Sequence, residues 1–375
     1  MAAKSKSPNT RDIAAAIAGR HGMAGALAQL ERELSASELG SLLMHVLRER
    51  SRQMSWSDVR RVAERDPLFR PSDVDARVTH QVEGAALEAC DGFQVLELSP
   101  VSVLGANALA GIDQNNVLSA TRQAEVLADP TTALAVECAR RRKAGNRQTP
   151  TKLAASTRLI RLQPFDDPGF SRHFRLFSLV SAGRDLGDER FERQALREHL
   201  TVWLRLAEEL SARGFGIRRV RLDVSDTRLV RALLRAGGFP LESLKGHVSP
   251  SQWPAELARR GIQLPGLVDD PTRIAAPSAE AGQLLERLQK IRTDVLEPLQ
   301  TRFPRVRMQF DLSRLHGLHY YQGPVLHVHL TNAAGQEFPL GDGGLTSWTQ
   351  ALLADRKERL FCSAFGTELL CRLFR

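Results

Sequence analysis

The chain has 375 residues, 42% hydrophobic and 25% charged, with 52 Lys and Arg against 43 Asp and Glu for a formal charge of +9. That length suits one large domain with a smaller one, and no run approaches the ~20 apolar residues of a membrane helix. The opening MAAKSKSPNTRD has no apolar core behind its charges, so it is not a secretory signal, and a cytoplasmic protein is expected.

Residues 1–9 read as disordered. From Arg11 to about Glu64, apolar residues recur three and four apart in AIAGRHGMAGALAQLERELS and ELGSLLMHVLRER. Ser55 or Ser57-Asp58 then caps a short helix, WSDVRRVAERD. Residues 1–74 are therefore expected to form a small all-α module, a candidate surface for a protein partner, closed off by Pro67, Pro71 and Ser72. VTHQVEGAALEAC is an amphipathic helix that Gly92 stops, and Phe93–Leu98 is a strand broken by Pro100. Asp129 caps DPTTALAVECARRRK, with Pro130 at the first position, where a fixed φ and a missing N–H do no harm. The basic run Arg140–Lys143 stands beside Gly145, Asn146 and Pro150 and reads as an exposed loop, with phosphate or RNA contact as its functional alternative. The positive balance fits nucleic acid, nucleotides or acidic partners without choosing among them.

Strands follow at TRLIRLQPF and RHFRLFSLVSA, then a long helix to Gly214, the strand RRVRLDVS and the capped helix DTRLVRALLRAGG. An irregular, proline-rich stretch from Leu241 to Gly282 leads to a helix around LLERLQKIRTDVLEPL. Strands fall in adjacent pairs rather than in βαβ alternation. The expected class for 75–375 is α+β, an antiparallel sheet flanked by helices.

Phe310 to Arg375 is the most informative part. FDLSRLHGLHYYQGPVLHVHL alternates like a buried strand pair closed by Gly323-Pro324, PLGDGGLTSW reads as a glycine loop, and ERLFCSAFGTELLCRLFR is apolar at helical spacing. Tyr320 and Tyr321 are the only tyrosines, and strand alternation sends them to opposite faces. His316, His319, His327 and His329 gather across the same hairpin as ordinary polar side chains or as ligand contacts. Glycines 341, 343 and 344 let backbone approach a small molecule, and Asp342 can take an ammonium group; the plain alternative is a hairpin turn. Cys90, Cys138, Cys362 and Cys371 lack the close paired spacing of a zinc site, and no metal centre is expected.

From about Val78 onward, the order of these segments resembles the catalytic core of class II aminoacyl-tRNA synthetases. It is most similar to the histidyl-tRNA synthetase group and to its shortened relative, the regulatory subunit of ATP phosphoribosyltransferase. GFQVLELSP resembles motif 1, with Pro100 as the proline of the dimer-interface strand, which implies a homodimer. RLIRLQPFDDPGFSRHFRLF resembles motif 2. FDLSRLHGLHYYQG resembles the histidine-binding stretch, and CSAFGTELL stands where motif 3 opens its helix.

The resemblance implies a site for ATP and Mg, which needs cations on the phosphates and a flat group on adenine. Arg161 would meet the α-phosphate, Arg172 another phosphate, and Phe174 the base, with Gln163 where a glutamate is usual. On the amino-acid side it implies His316, His319, Tyr320, Tyr321, Asp342, Gly343 and Gly344, with Glu368 as the acidic residue of motif 3.

Departures are as informative. Leu369 follows Glu368 where active enzymes carry an arginine, and Leu179 and Val180 fill the histidine-specific acidic positions. His316 stands at an arginine position, and a mostly neutral imidazole does not replace a guanidinium. No anticodon-binding domain follows motif 3. The expected function is a non-catalytic or divergent paralogue that binds a small amino-acid- or nucleotide-like ligand in a regulatory role. The alternatives are an ATP-dependent amino-acid-activating ligase with a non-tRNA acceptor, and an RNA-binding protein.

Overall fold

The computed structural model describes residues 10–145, 147–163, 171–241 and 253–375. The expectations for residues 1–9, Asn146, the motif 2 loop at 164–170 and part of the proline-rich stretch at 242–252 lie outside the described residues.

Four helices come first: α1 (Thr10–Arg20), α2 (Ala24–Arg32), α3 (Ala36–Arg52) and α4 (Trp56–Arg65). Gly22, at φ 67°, divides what the apolar spacing reads as one helix into α1 and α2. Ser35 with Glu38, and Ser55 with Asp58, form reciprocal capping boxes that start α3 and α4. None of α2, α3 and α4 buries a residue fully, and Leu42, Val46 and Leu47 of α3 are half exposed.

The larger unit opens with α5 (Ala76–Ala89). The expected motif 1 strand shortens to β1 (Gln94–Val95), and exposed Pro100 leads into β2 (Val101–Val103). After α6 (Ala106–Leu109), β3 (Ser119–Ala120) and β4 (Ala124–Val126) complete a small sheet in the order β2–β4–β3. Asp129 caps α7 (Pro130–Ala144) by accepting from the Thr131 amide. Arg140–Lys143 form the last turns of this helix rather than a loop. Buried Leu134, Ala135, Cys138 and Ala139 carry a continuous apolar face into those turns, and packing prevails over the nearby glycine and proline. Arg140 and Arg141 bond Glu137, while Arg142 is buried against Glu358.

The chain continues through β5 (Thr151–Ile160), β6 (His173–Arg184), α8 (Arg190–Ala212), β7 (Ile217–Asp226), α9 (Thr227–Ala236), α10 (Trp253–Arg259) and β8 (Leu267–Val268). Helix α11 (Ala279–Ile291) passes through a π turn, Arg292–Leu296, into α12 (Glu297–Arg302). The end of the chain is β9 (Arg307–Asp311), β10 (Pro324–Asn332), β11 (Glu337–Thr346), α13 (Trp348–Leu353), β12 (Glu358–Phe365) and α14 (Thr367–Leu373).

Nine strands form one sheet in the order β1–β5–β6–β12–β11–β10–β7–β9–β8, antiparallel except at β1/β5 and β7/β9. One face packs its Phe177, Leu179, Phe361 and Phe365 against α5, α8 and α11; the other packs Val180, Ala182, Leu360 and Cys362 against α7. This is the α+β architecture the adjacent strand pairs predict.

Two readings of the C-terminal segment change. Strand β9 stops at Asp311, residues 312–323 are irregular, and Pro324 begins β10 instead of closing a hairpin. The glycine run is no loop but the interior of β11. A Cβ on Gly343 would stand 2.4 Å from the Ser363 Cβ, and one on Gly344 2.6 Å from Val325 Cγ1. These glycines provide room between neighbouring strands. Likewise the terminal run is strand β12 before it is helix α14. Among the described residues, no helix is long and apolar enough to cross a membrane, and all four cysteines are free and buried.

Candidate functional site

Side chains alternate across the sheet, so register decides which residues can meet a common ligand. Asp342 pairs with His327 on one side and Ala364 on the other, which puts these three on the α7 face. Arg314 arrives from the irregular segment with its side chain only 5% exposed, while Asp342 keeps 33%. Its guanidinium donates to Asp342 Oδ1, to the Leu326 carbonyl at 3.0 Å and to the His316 carbonyl at 3.2 Å. The Tyr321 hydroxyl donates to Asp342 Oδ2 at 3.2 Å.

The two tyrosines do not diverge. Gly317, at φ 80°, turns the chain, and the Tyr321 ring lies where a Cβ on Gly317 would be (2.6 Å) and close to one on Gly344 (2.8 Å). Tyr320 and Tyr321 end with ring centroids 4.2 Å apart. The alternation rule fails because residues 312–323 are not a strand.

Burial alone would raise the Asp342 carboxyl, but Arg314 and then His327 outweigh it and hold it below the ordinary carboxylate range. Burial drives the His327 imidazole down to about 3, so it is neutral at pH 7. Among the described residues it has no hydrogen-bond partner. His329, its ring 4.2 Å away, has Nε2 3.0 Å from Asp223 Oδ2 but outside hydrogen-bonding geometry, and Asp223 is held instead by Gln309 at 2.8 Å and Arg221 at 2.8 Å. His316 and His319 are exposed at the rim, with His319 edge-on to Tyr320 at 4.9 Å. An ionised carboxylate, a neutral imidazole and two phenols suit a ligand that brings donors, such as an ammonium group or an imidazole ring.

The nucleotide half is different. Arg161 and Phe174 are together, as the motif implies, but chiefly engaged with their own surroundings. The Arg161 guanidinium lies 5.8 Å from the Phe174 ring centroid, with Nε on the Ala128 carbonyl at 2.9 Å and Nη2 3.7 Å from Asp129. Arg172 Nη1 is 3.1 Å from Asp66, at the end of α4. Gln163 is half-buried just past β5, next to the undescribed loop.

Two expected ligand residues lie on the wrong face. Arg158 and Arg175 pair across β5 and β6, whereas Phe174 pairs with Leu159. Glu368 bonds Arg158 at 2.8 Å, accepts from the Ser72 hydroxyl at 2.5 Å and meets Arg372 at 3.2 Å. It therefore sits on the face opposite Asp342 and ties the N-terminal segment to α14. Gly343 also faces away, toward Ser363 and α8. Pro100 is exposed, as are Val101, Val103 and Leu109 after it in the chain, and its carbonyl accepts from the Leu127 amide at 3.1 Å. Arg314 is the residue that sequence reasoning missed. Its signal was an arginine two positions before His316, in the very stretch compared with the histidine-binding segment. Asp342, expected to be free for an ammonium group, already holds that arginine through one oxygen. Among the described residues, no group of three or more His, Cys, Asp or Glu is arranged to hold a metal ion.

No family model and no curated protein matches this sequence. Solved structures do match. An ATP phosphoribosyltransferase regulatory subunit/histidyl-tRNA synthetase from Bacillus halodurans superposes with a TM-score of 0.60 at 16% identity, covering 81% of this chain and 82% of that one. A histidyl-tRNA synthetase from a Nostoc species gives 0.58 at 16%, covering 80% and 72%. A histidine–tRNA ligase subunit from Alicyclobacillus acidocaldarius gives 0.55 at 18%, covering 80% and 94%.

Proposed function

We propose that this chain, built on the class II synthetase-like fold those structures share, binds a small amino-acid-like ligand on the Asp342 face and acts as a ligand-responsive subunit. It does not form an adenylate. One observation carries the reading: the two halves of the site are in opposite states. Asp342, though it holds Arg314 and Tyr321, keeps a third of its side chain exposed and His327 has no hydrogen-bond partner among the described residues, whereas Arg161 and Arg172 face the carboxylates of Asp129 and Asp66. Leu369 supplies no charge, and Glu368 points through to the other face. These residues do not fit the triphosphate of ATP with its magnesium, which needs converging cations.

The ligand's ammonium group or ring N–H would donate to Asp342 and His327, between the tyrosine pair and the sheet. Charge-assisted bonds of this kind contribute roughly 1.5–3 kcal/mol each. A regulatory role accords with the name of the Bacillus halodurans match. A homodimer through the apolar surface by Pro100, and a protein partner on the N-terminal helices, belong to the same proposal.

The test is calorimetry with the twenty amino acids, with and without ATP and Mg, alongside pyrophosphate exchange. One amino acid is expected to bind without ATP, with no exchange. Binding that requires ATP, with exchange stimulated by that amino acid, would establish the ligase instead.

A further inference from the structure

On the face opposite Asp342, α8 passes near α12 and the turn between α5 and β1, and they line an open cavity of about 340 Å³. Its charged lining is Lys152, Arg197, Arg205 and Arg302 against Asp91 and Glu198. Four cations and two acids leave a surplus of two positive charges.

Arginines in this protein are mostly paired with acids, so the state of these is unusual. Lys152 reaches Glu198 at 2.7 Å. The Arg197 and Arg205 side chains have no acidic or hydrogen-bonding partner among the described residues; Arg205 is half-buried, and Arg197 and Arg302 are exposed. Arg302 has only the Phe303 ring, at 5.1 Å. Residues 197 and 205 are two steps of four apart and share one stripe of α8, so the helix aims both at the same side. Bringing like charges to a partly desolvated wall costs free energy unless an anion joins them.

Besides Gly92 and the Thr201 hydroxyl, the remaining lining is apolar: Phe93, Val202, Pro298 and Leu299. An inorganic anion would use the cations and waste this floor. An organic phosphate uses both, because its dianion of about −1.5 to −2 charges matches the surplus and its body covers the apolar side. We propose that this cavity is a second binding site, for a small phosphomonoester, held by Arg197, Arg205 and Arg302 and independent of the amino-acid-like ligand on the other face.

The experiment is calorimetric titration of the full chain, in phosphate-free buffer of low ionic strength, with ribose 5-phosphate, inorganic phosphate and ribose. Ribose 5-phosphate is expected to bind saturably, inorganic phosphate more weakly, and ribose not at all. Arg197→Gln and Arg205→Gln are each expected to lower that affinity about tenfold or more, since a charged hydrogen bond is lost, and Arg205→Lys to recover part of it. Neither side chain has a partner among the described residues, so the ligand-free melting curves of these variants should match the parent or lie above it. Amino-acid binding at the Asp342 face should be unchanged in them, which separates failure here from failure of the proposed function. No saturable binding overturns the proposal. So does ribose 5-phosphate binding that the glutamine variants leave intact.

Discussion

Each face of the large sheet buries a neutral imidazole, and the two differ in how completely they are satisfied. On the α8 face, His199 is fully buried. Its ring nitrogens lie 3.0 Å from the Ser181 hydroxyl and 2.7 Å from that of Ser363, and its ring meets Phe93 and Phe361 edge-on. On the α7 face, His327 has comparable electrostatics and no partner. Burial drives both to about 3. Two arginine–carboxylate pairs repeat the contrast. Arg142 and Glu358 are sealed, with the remaining guanidinium donors on the carbonyls of Thr149, Ala182 and Arg147. Arg314 is sealed too, but its partner Asp342 reaches solvent. A network with every donor placed fixes one packing; one whose carboxylate is left a third exposed is where a ligand can complete it.

The largest expected effect separates the two pairs. Glu358→Ala strands a buried guanidinium and should cost about 3–5 kcal/mol. Asp342→Ala should cost less than half of that, because water can reach the space beside Arg314, yet it should abolish amino-acid binding. Urea unfolding measures both. Equal losses would break the contrast between a sealed and an open pair.

The glycines of β11 sharpen it. Gly343→Ala and Gly344→Ala both overpack, Gly343 against Ser363 and Gly344 against Val325 and Tyr321, and each should cost about 1–3 kcal/mol. Only Gly344→Ala displaces Tyr321 from Asp342, so only it should weaken amino-acid binding in calorimetry. A comparable affinity loss in Gly343→Ala would mean that the two faces are not independent.

Acid pH tests the imidazoles together. Between about pH 6.5, where an unfolded histidine titrates, and pH 3, the unfolded chain binds protons that folded His199 and His327 do not. Stability must therefore fall as pH falls through that window, by at most about 1.4 kcal/mol per pH unit for each group. Asp342 adds to the fall only at the bottom of that window: its folded carboxyl is lowered, so its contribution is fully present above the unfolded value of about 3.9 and is lost below it, and the slope between pH 6.5 and about 4 belongs to the imidazoles. His327→Gln should remove one share of the slope at little cost at pH 7, whereas His199→Gln should also lose stability at pH 7. If His327→Gln leaves the slope intact, that imidazole is not held neutral.

What the sequence disclosed follows the range of the forces involved. Local signals were reliable: Asp129 with Pro130, Asp226 before α9 and Ser55 with Asp58 all cap where expected, because a cap is decided within four residues. The fold was legible from the order of strand pairs and the three resembling segments. Long-range facts were not. Nothing near Arg142 shows that Glu358, 216 residues later, will bury it, and a basic run beside Gly145 looks like a loop. Three glycines in four residues look like a turn unless the strands on either side are known. Tyr320 and Tyr321 were assigned to opposite faces by a strand rule that the turn at Gly317 cancels. In the site, comparison by position fixed on His316 and passed over Arg314, the buried cation two residues away that bonds Asp342.

The smallest expected effect bears on the nucleotide half. Arg172 and Asp66 are both about a third exposed, and a pair of that kind contributes about 0.2–1 kcal/mol. Asp66→Asn should therefore barely move the melting temperature while freeing Arg172 from the N-terminal helices. ATP binding should not follow, because Leu369 still contributes no charge and Glu368 remains tied to Arg158 and Ser72 on the far face. The double variant Asp66→Asn, Leu369→Arg separates a cleft short of one cation from one whose geometry is lost. ATP binding by the double variant alone would locate the defect at position 369. Pyrophosphate exchange by Asp66→Asn alone would mean that the N-terminal module merely latches a competent site, and the regulatory reading would fall.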